Sequence, residues 1–259
     1  MTFIVPGYLF KGPPLIDGRV LVFKCNGFRI FLITLATCLL CVYKFELFAA
    51  TIIYDNFFGL LFWANAVAFT LSIILLMKGR FFAKYTSGSV IKDFFMGTEL
   101  VPHFAGLKLN FFWLRPSMML WILINLSFLA EHIDRYGQVK NSMLLYQVFS
   151  GAYVVDYFFL EDYVTSTWDI IAERFGFMLV WGDIVFIPFT FSLQAWYLVD
   201  NPIDLTSMEV ALCILTFIAG YVIFRFSNKQ KHDFKRNPKG LIWGRPAKLI
   251  GNKCNILLN

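Results

Sequence analysis

Residues 56–77 read NFFGLLFWANAVAFTLSIILLM, a run without one charged side chain. A helix needs about 20 mostly apolar residues to cross the hydrocarbon core of a bilayer. Here the apolar residues go all round the helix, so the segment cannot lie on a surface as an amphipathic helix. It is expected to span a membrane. Working outward, five further stretches follow the same pattern less purely: Phe28–Tyr43, Phe111–Ala130, Ser142–Leu160, Phe177–Val199 and Met208–Phe226. The fold class expected is an all-α integral membrane protein with about six transmembrane helices.

Composition supports this reading. Of 259 residues, 58% are hydrophobic, 19% aromatic and 15% charged, and the mean hydropathy is +0.64. Soluble domains run at roughly 45–50% apolar and about 25% charged, which excludes a soluble domain, a disordered chain or a secreted disulfide scaffold. No nucleic-acid partner is expected. Cys38 and Cys41 form a CxxC, but inside an apolar run, where inert thiols are the natural reading. With only His103, His132 and His232 as histidines and no HExxH, no metal is expected. Met1–Phe10 contains Pro6 and Gly7 and does not read as a cleavable signal.

The net charge of +6 reports orientation. Six spans place 19 of the 23 Lys and Arg residues on the side of both termini, 3 (Lys44, Arg135 and Lys140) opposite, and Arg115 within a span. The positive-inside rule then puts both termini in the cytosol. The long loop 78–110 is expected to hold a structured or re-entrant piece. Without an internal repeat, residues 1–259 read as one membrane domain.

Ionisable residues within spans are costly and usually functional. Arg115, Asp156 and Asp183 all fall roughly 6–9 Å below the cytosolic boundary, counted at about 1.5 Å per residue. Two readings are open: a buried ion pair that fixes helix packing, or snorkelling by Arg115, on the one hand, and the polar floor of a pocket open to the cytosol on the other. Tyr153, one turn before Asp156, shares its face and could relay a proton. It could equally be a buried tyrosine that finds a hydrogen-bond partner. Beyond the last span, residues 228–238 read NKQKHDFKRNP. This is a flank attracted to anionic lipid, or a site for a phosphorylated cofactor with Lys231 and Lys235 on one helical face. There is no GxGxxG and no GxxxxGK[ST].

The string Asp93-Phe94-Phe95-Met96-Gly97-Thr98-Glu99-Leu100 resembles the D-F-x-x-G-x-E-L-N-P-R signature of the sterol reductase family. Further matches follow in the family's order: Leu114-Arg115-Pro116, Ile124-Asn125-Leu126, Tyr153-Val154-Val155-Asp156, Thr167-Trp168-Asp169-Ile170, Phe175-Gly176-Phe177, Gly182-Asp183, and Asn228-Lys229-Gln230-Lys231 with Phe234. The resemblance covers about residues 5–250.

That resemblance implies NADPH-dependent reduction of a sterol carbon–carbon double bond at the endoplasmic reticulum membrane, within a fold of about ten membrane helices. It makes Lys231 the cofactor-phosphate contact, supported by Lys235 and Arg245. Tyr153 and Asp156 become the proton relay, and Glu99, Arg115 and Asp183 shape the substrate pocket. Val5–Tyr8, Thr51–Asn56, Lys78-Gly79 and Leu241–Arg245 look like 7-dehydrocholesterol reductases. Phe175–Leu179, Pro188–Thr190 and Phe234–Pro238 look like Δ14-reductases, and Δ7 is favoured. Val101-Pro102-His103 replaces the family's N-P-R, and Lys235 stands where the family has Arg. Family members continue past the point matching Asn259, so the chain is expected to be the central part of a longer reductase. The rival readings are a non-catalytic sterol-binding scaffold like the membrane half of the lamin-B receptor and, ranked last, a transporter.

Overall fold

The computed structural model describes residues 1–82, 85–237, 239–242 and 244–246. An antiparallel hairpin comes first, β1 (Tyr8–Pro14) and β2 (Val20–Cys25), with Tyr8 opposite Cys25. Six main helices follow. They are α1 (Gly27–Tyr43), α2 (Phe57–Phe82), α3 (Leu109–Tyr136), α4 (Asn141–Phe159), α5 (Phe177–Asp200) and α6 (Ser207–Arg236). They coincide with the six expected spans. Four, α2, α3, α5 and α6, are long and apolar enough to cross a membrane, at 26, 28, 24 and 30 residues. The apolar α1 has 17 residues and α4 has 19.

The helices share one interior, and α3 runs through it. More than half of its apolar window is buried (56%), against 17% for α2 and 0% for α6. Ile124 and Phe128 of α3 pack with Phe57, Met143, Phe189, Ala195 and Val199. Nearer the other end of α3, Met118, Trp121 and Ile122 pack with Ile30, Phe31, Val154 and Phe158. Large apolar side chains such as Phe62 and Trp63 of α2 point outward, as a lipid-facing surface requires.

Local chemistry sets the helix ends. Gly137 closes α3 in the left-handed conformation, φ 68°, its N–H donating to the Ile133 carbonyl. Thr206 and Glu209 form a reciprocal capping box at the start of α6. The middle of α5, Gly182–Thr190, is a π-helix with Pro188 inside it. Proline lacks an N–H, and the wider turn leaves carbonyls without ladder partners. Carbonyls at the end of this stretch also take side-chain hydroxyl donors. Ser192 Oγ donates to the Pro188 carbonyl (2.5 Å) and Tyr146 OH to the Phe191 carbonyl (2.6 Å). Tyr146 also reaches Asn125 Oδ1, and Asn125 Nδ2 reaches Ser150 Oγ, so α3, α4 and α5 share one polar seam.

At one end of the bundle, Arg135 meets Glu131, Asp200 and the Tyr54 hydroxyl, while Lys140 meets Asp204. The loops after α1, α3 and α5 therefore share this end, and two of its three cations are paired with carboxylates. The opposite end carries the hairpin, loop 85–108, segment 160–176 and the close of α6. The structured piece expected in loop 78–110 is the short helix Val90–Met96 with a hairpin of His103–Phe104 and Leu107–Lys108.

The DFFMGTEL string builds that loop. Ser87 N–H donates to Asp93 Oδ1 (2.8 Å), and Arg80 approaches Oδ2. The Ser87 bond first, with the Arg80 charge, holds the Asp93 carboxyl below its usual range. Gly97 has φ 86°, and the backbones of Gly97 and Gly176 lie against each other. A methyl on Gly176 would meet backbone that cannot give way, so Gly176→Ala is expected to cost about 1–3 kcal/mol by overpacking. Gly151→Ala, whose methyl meets nothing within 4 Å, should leave the melting temperature in detergent unchanged or raise it, since it sits inside α4. Equal melting temperatures for the two variants would contradict this packing.

Candidate functional site

Two of the three in-span charges are fixed by separate partners. Arg115 Nε donates to Glu161 Oε1 (2.6 Å), and both side chains are under 5% exposed. The other Glu161 oxygen accepts the Gly27 N–H (2.9 Å), and Arg115 Nη2 donates to the Lys24 carbonyl (2.6 Å). The guanidinium also lies over the Phe111 ring at 4.8 Å. Glu161 escapes a reading confined to spans because it falls one residue past Leu160, at the start of the loop. Of the two open readings, the buried ion pair therefore describes Arg115, although its partner is not one of the two in-span aspartates.

Asp156 is held differently. Its Oδ1 accepts from Tyr221 OH at 2.8 Å and from Arg225 Nη1 at 3.3 Å. Tyr221 and Arg225 are one turn apart on α6, so together they clamp one carboxylate. Neither was singled out from the sequence, where Arg225 counts with the basic tail. The i, i+4 pairing of a tyrosine and an arginine at a membrane exit is the signal that could have found them.

Asp156 and Tyr153 line a cavity of about 260 Å³ between α3, α4, α5, α6 and segment 160–169. Leu114, Met118 and Ile187 give it apolar walls, with Ile187 coming from the π-helical part of α5. Tyr157 and Tyr163 add two more hydroxyls, and Asp169 and Asn228 also line it. The Tyr153 ring sits 5.9 Å from Trp121 and 5.7 Å from Phe224, tilted against each. An apolar chamber with a few convergent polar groups is the usual form of a small-molecule site. A tyrosine beside a clamped carboxylate can hold and deliver a proton there.

The other expected site residues lie elsewhere. Asp183 is buried in the π-helical turn and is not among the cavity's lining residues. Glu99 pairs with Lys78 at 2.6 Å in a separate cleft of about 740 Å³, which also includes Asp17, Arg19, His103 and Arg174. Lys231 is exposed, one turn beyond Asn228 and close enough to Asp169 for their charges to interact. Lys235 turns inward and donates to the Ser166 carbonyl (2.7 Å). Arg245 is exposed on the hairpin of Leu241–Ile242 and Arg245–Pro246. Trp243 and residues 247–259, including part of the LIWGR string, lie outside the described residues. For a phosphorylated cofactor the exposed ammonium of Lys231, one turn beyond the cavity-lining Asn228, is a suitable donor.

The family described as "Ergosterol biosynthesis ERG4/ERG24 family" matches residues 1–257. The chain belongs to this sterol reductase family. It is 41% identical to the Delta(14)-sterol reductase of Arabidopsis thaliana, over 96% of this chain and 69% of that protein. It is 41% identical to the Delta(14)-sterol reductase of Methylotuvimicrobium alcaliphilum, over 98% of this chain and 60% of that one. It is 38% identical to the 7-dehydrocholesterol reductase of Xenopus laevis, over 95% of this chain and 54% of that one. The chain thus spans roughly half to two thirds of the length of these relatives.

The buried pair yields a direct test. Arg115→Met keeps the bulk but strands the Glu161 charge, and breaking a buried pair this way costs about 3–5 kcal/mol. Arg19→Ala, which removes an exposed partner of Asp17, should cost under about 1 kcal/mol. Similar unfolding midpoints for the two variants in detergent would contradict the assigned role.

Proposed function

We propose that this chain carries the sterol-binding and proton-delivering part of an NADPH-dependent reduction of a sterol carbon–carbon double bond. The observation that carries the reading is the cavity: a clamped carboxylate and a tyrosine facing apolar walls, in a chain of the sterol reductase family. A sterol offers fused apolar rings to Leu114, Met118 and Ile187, which also keep water out. Tyr153 presents the proton, and Asp156, fixed by Tyr221 and Arg225 on the same cavity wall, passes it a replacement proton taken from water. NADPH, when bound, supplies the hydride. Lys231 takes its phosphate at the cavity mouth, Arg245 adds charge, and Lys235 supports this end of α6 through Ser166.

The excess of cations at the end carrying the first hairpin and the close of α6 supports a cytosolic placement of that end in the endoplasmic reticulum membrane. Among nuclear double bonds we favour Δ7, on the strings Val5–Tyr8, Thr51–Asn56 and Leu241–Arg245. Δ14 comes next, since relatives bearing either name show similar identity. The relatives compared are named as reductases, which does not favour a non-catalytic scaffold.

The test uses membranes expressing the chain, alone and fused into the full-length Arabidopsis relative in place of the segment it matches. These are incubated with NADPH and either 7-dehydrocholesterol or a Δ14-sterol, and products are read by mass spectrometry. The fused protein is expected to reduce 7-dehydrocholesterol faster. Asp156→Asn should lower kcat about 100-fold, at the low end of what general acid–base groups contribute. No product from either sterol, with the relative active in parallel, would contradict the proposal.

A further inference from the structure

Among the described residues, His232 is the one buried side chain of α6, although that helix has 30 residues. The residue is 2% exposed. Its ring stacks on Tyr163, with centroids 4.2 Å apart and planes 13° from parallel, and on Phe10 at 5.9 Å. Nδ1 lies 2.7 Å from Ser166 Oγ, and the carbonyl of the same Ser166 accepts from Lys235. One turn of α6 is thereby keyed into segment 161–167 and the first hairpin.

The rest of α6 is held at a few points, among them Phe217 stacked on Phe149 at 4.1 Å. None of its 18-residue apolar window is buried, and an apolar helix surface in lipid has no strong preference for one rotation. The clamp on Asp156 constrains its middle through Tyr221 and Arg225. Yet α6 contributes Phe224, Arg225 and Asn228 to the cavity wall, and Lys231 immediately precedes His232. A helix is a stiff rod with a 5.4 Å pitch, so fixing its end fixes the height and rotation of the neighbouring turns.

We propose that His232 is a positioning residue for the cofactor end of the site. Held by Tyr163, Phe10 and Ser166, it sets α6 so that Lys231 stands at the cavity mouth and Arg225 and Asn228 close the wall. It touches no reacting atom and acts through the helix. The kinetic consequence rests on the reductase reading above; the structural consequence does not.

Three variants separate the parts. His232→Phe keeps the stack and loses the Ser166 bond, Ser166→Ala removes the partner, and His232→Asn can restore the bond from the Nδ1 position. Two readouts are used: the KM for NADPH against kcat in the fused protein, and the rate of tryptic cleavage between Lys229 and Arg236 in membranes bearing the chain itself. Loss of one buried hydrogen bond is worth about tenfold. His232→Phe and Ser166→Ala are therefore expected to raise KM about tenfold with kcat within about twofold, and to speed cleavage about tenfold. His232→Asn should stay within about threefold of the unmodified chain on both readouts. Wild-type behaviour of His232→Phe in both, or a fall in kcat at constant KM, would overturn the proposal. If the unmodified fused protein turns nothing over, the reductase reading fails, and the cleavage rates still decide the role of His232. Should His232→Phe not accumulate, Ser166→Ala alone carries the test.

Discussion

A guanidinium set below the surface of a bilayer must be neutralised by protein, because lipid offers nothing in return for its lost hydration. Arg115 meets this condition through Glu161 and the Lys24 carbonyl, and Glu161 spends its second oxygen on the Gly27 N–H. One ion pair thus joins the end of β2, the start of α1, the first turns of α3 and the chain leaving α4. Gly27 has to be glycine here, since a Cβ would collide with the Glu161 carboxylate and with Phe158. The pair also fixes where α4 stops. Leu160, Tyr163 and Val164 turn from this point to form one side of the cavity.

The two ends of the molecule differ in how they handle charge. At one, Arg135 and Lys140 are each matched with carboxylates. At the other, Lys231 and Arg245 remain exposed, and α6, which carries Lys231, also clamps the cavity's Asp156. An apolar ligand and a polyanion would thus be drawn to adjoining regions of one end, one by the walls and the other by the cations. That division is what a sterol and a phosphorylated hydride donor require.

The six helices were legible because continuous apolar runs are unambiguous, and all six lie where hydropathy placed them. The match of Tyr153 and Asp156 to one cavity wall was legible too, from their spacing along a helix. The partners were not. Asp156 finds Tyr221 and Arg225 about 65 residues later in the chain, a relation set by packing alone. Arg115 finds a glutamate assigned to a loop by its position just past Leu160. The π-helical stretch of α5 was hidden because Gly182–Thr190 is as apolar as an α-helical span, and only Pro188 hints at a broken ladder. Glu99 illustrates the converse. Its motif is specific, but in the structure its string builds the loop between α2 and α3, and its carboxylate pairs with Lys78 in another cleft. His232 read as a residue of a basic tail and is instead its buried anchor.

The central claim is that the cavity beside Asp156 receives the sterol. Its most direct measurement is photo-crosslinking of membranes bearing the chain with a photoreactive sterol, followed by mapping of the labelled residues by mass spectrometry. The account predicts label on Met118, Tyr157 and Ile187, suppressed by excess unlabelled sterol. Label confined to outward residues such as Phe62 and Trp63 of α2, and unaffected by competitor, would contradict it.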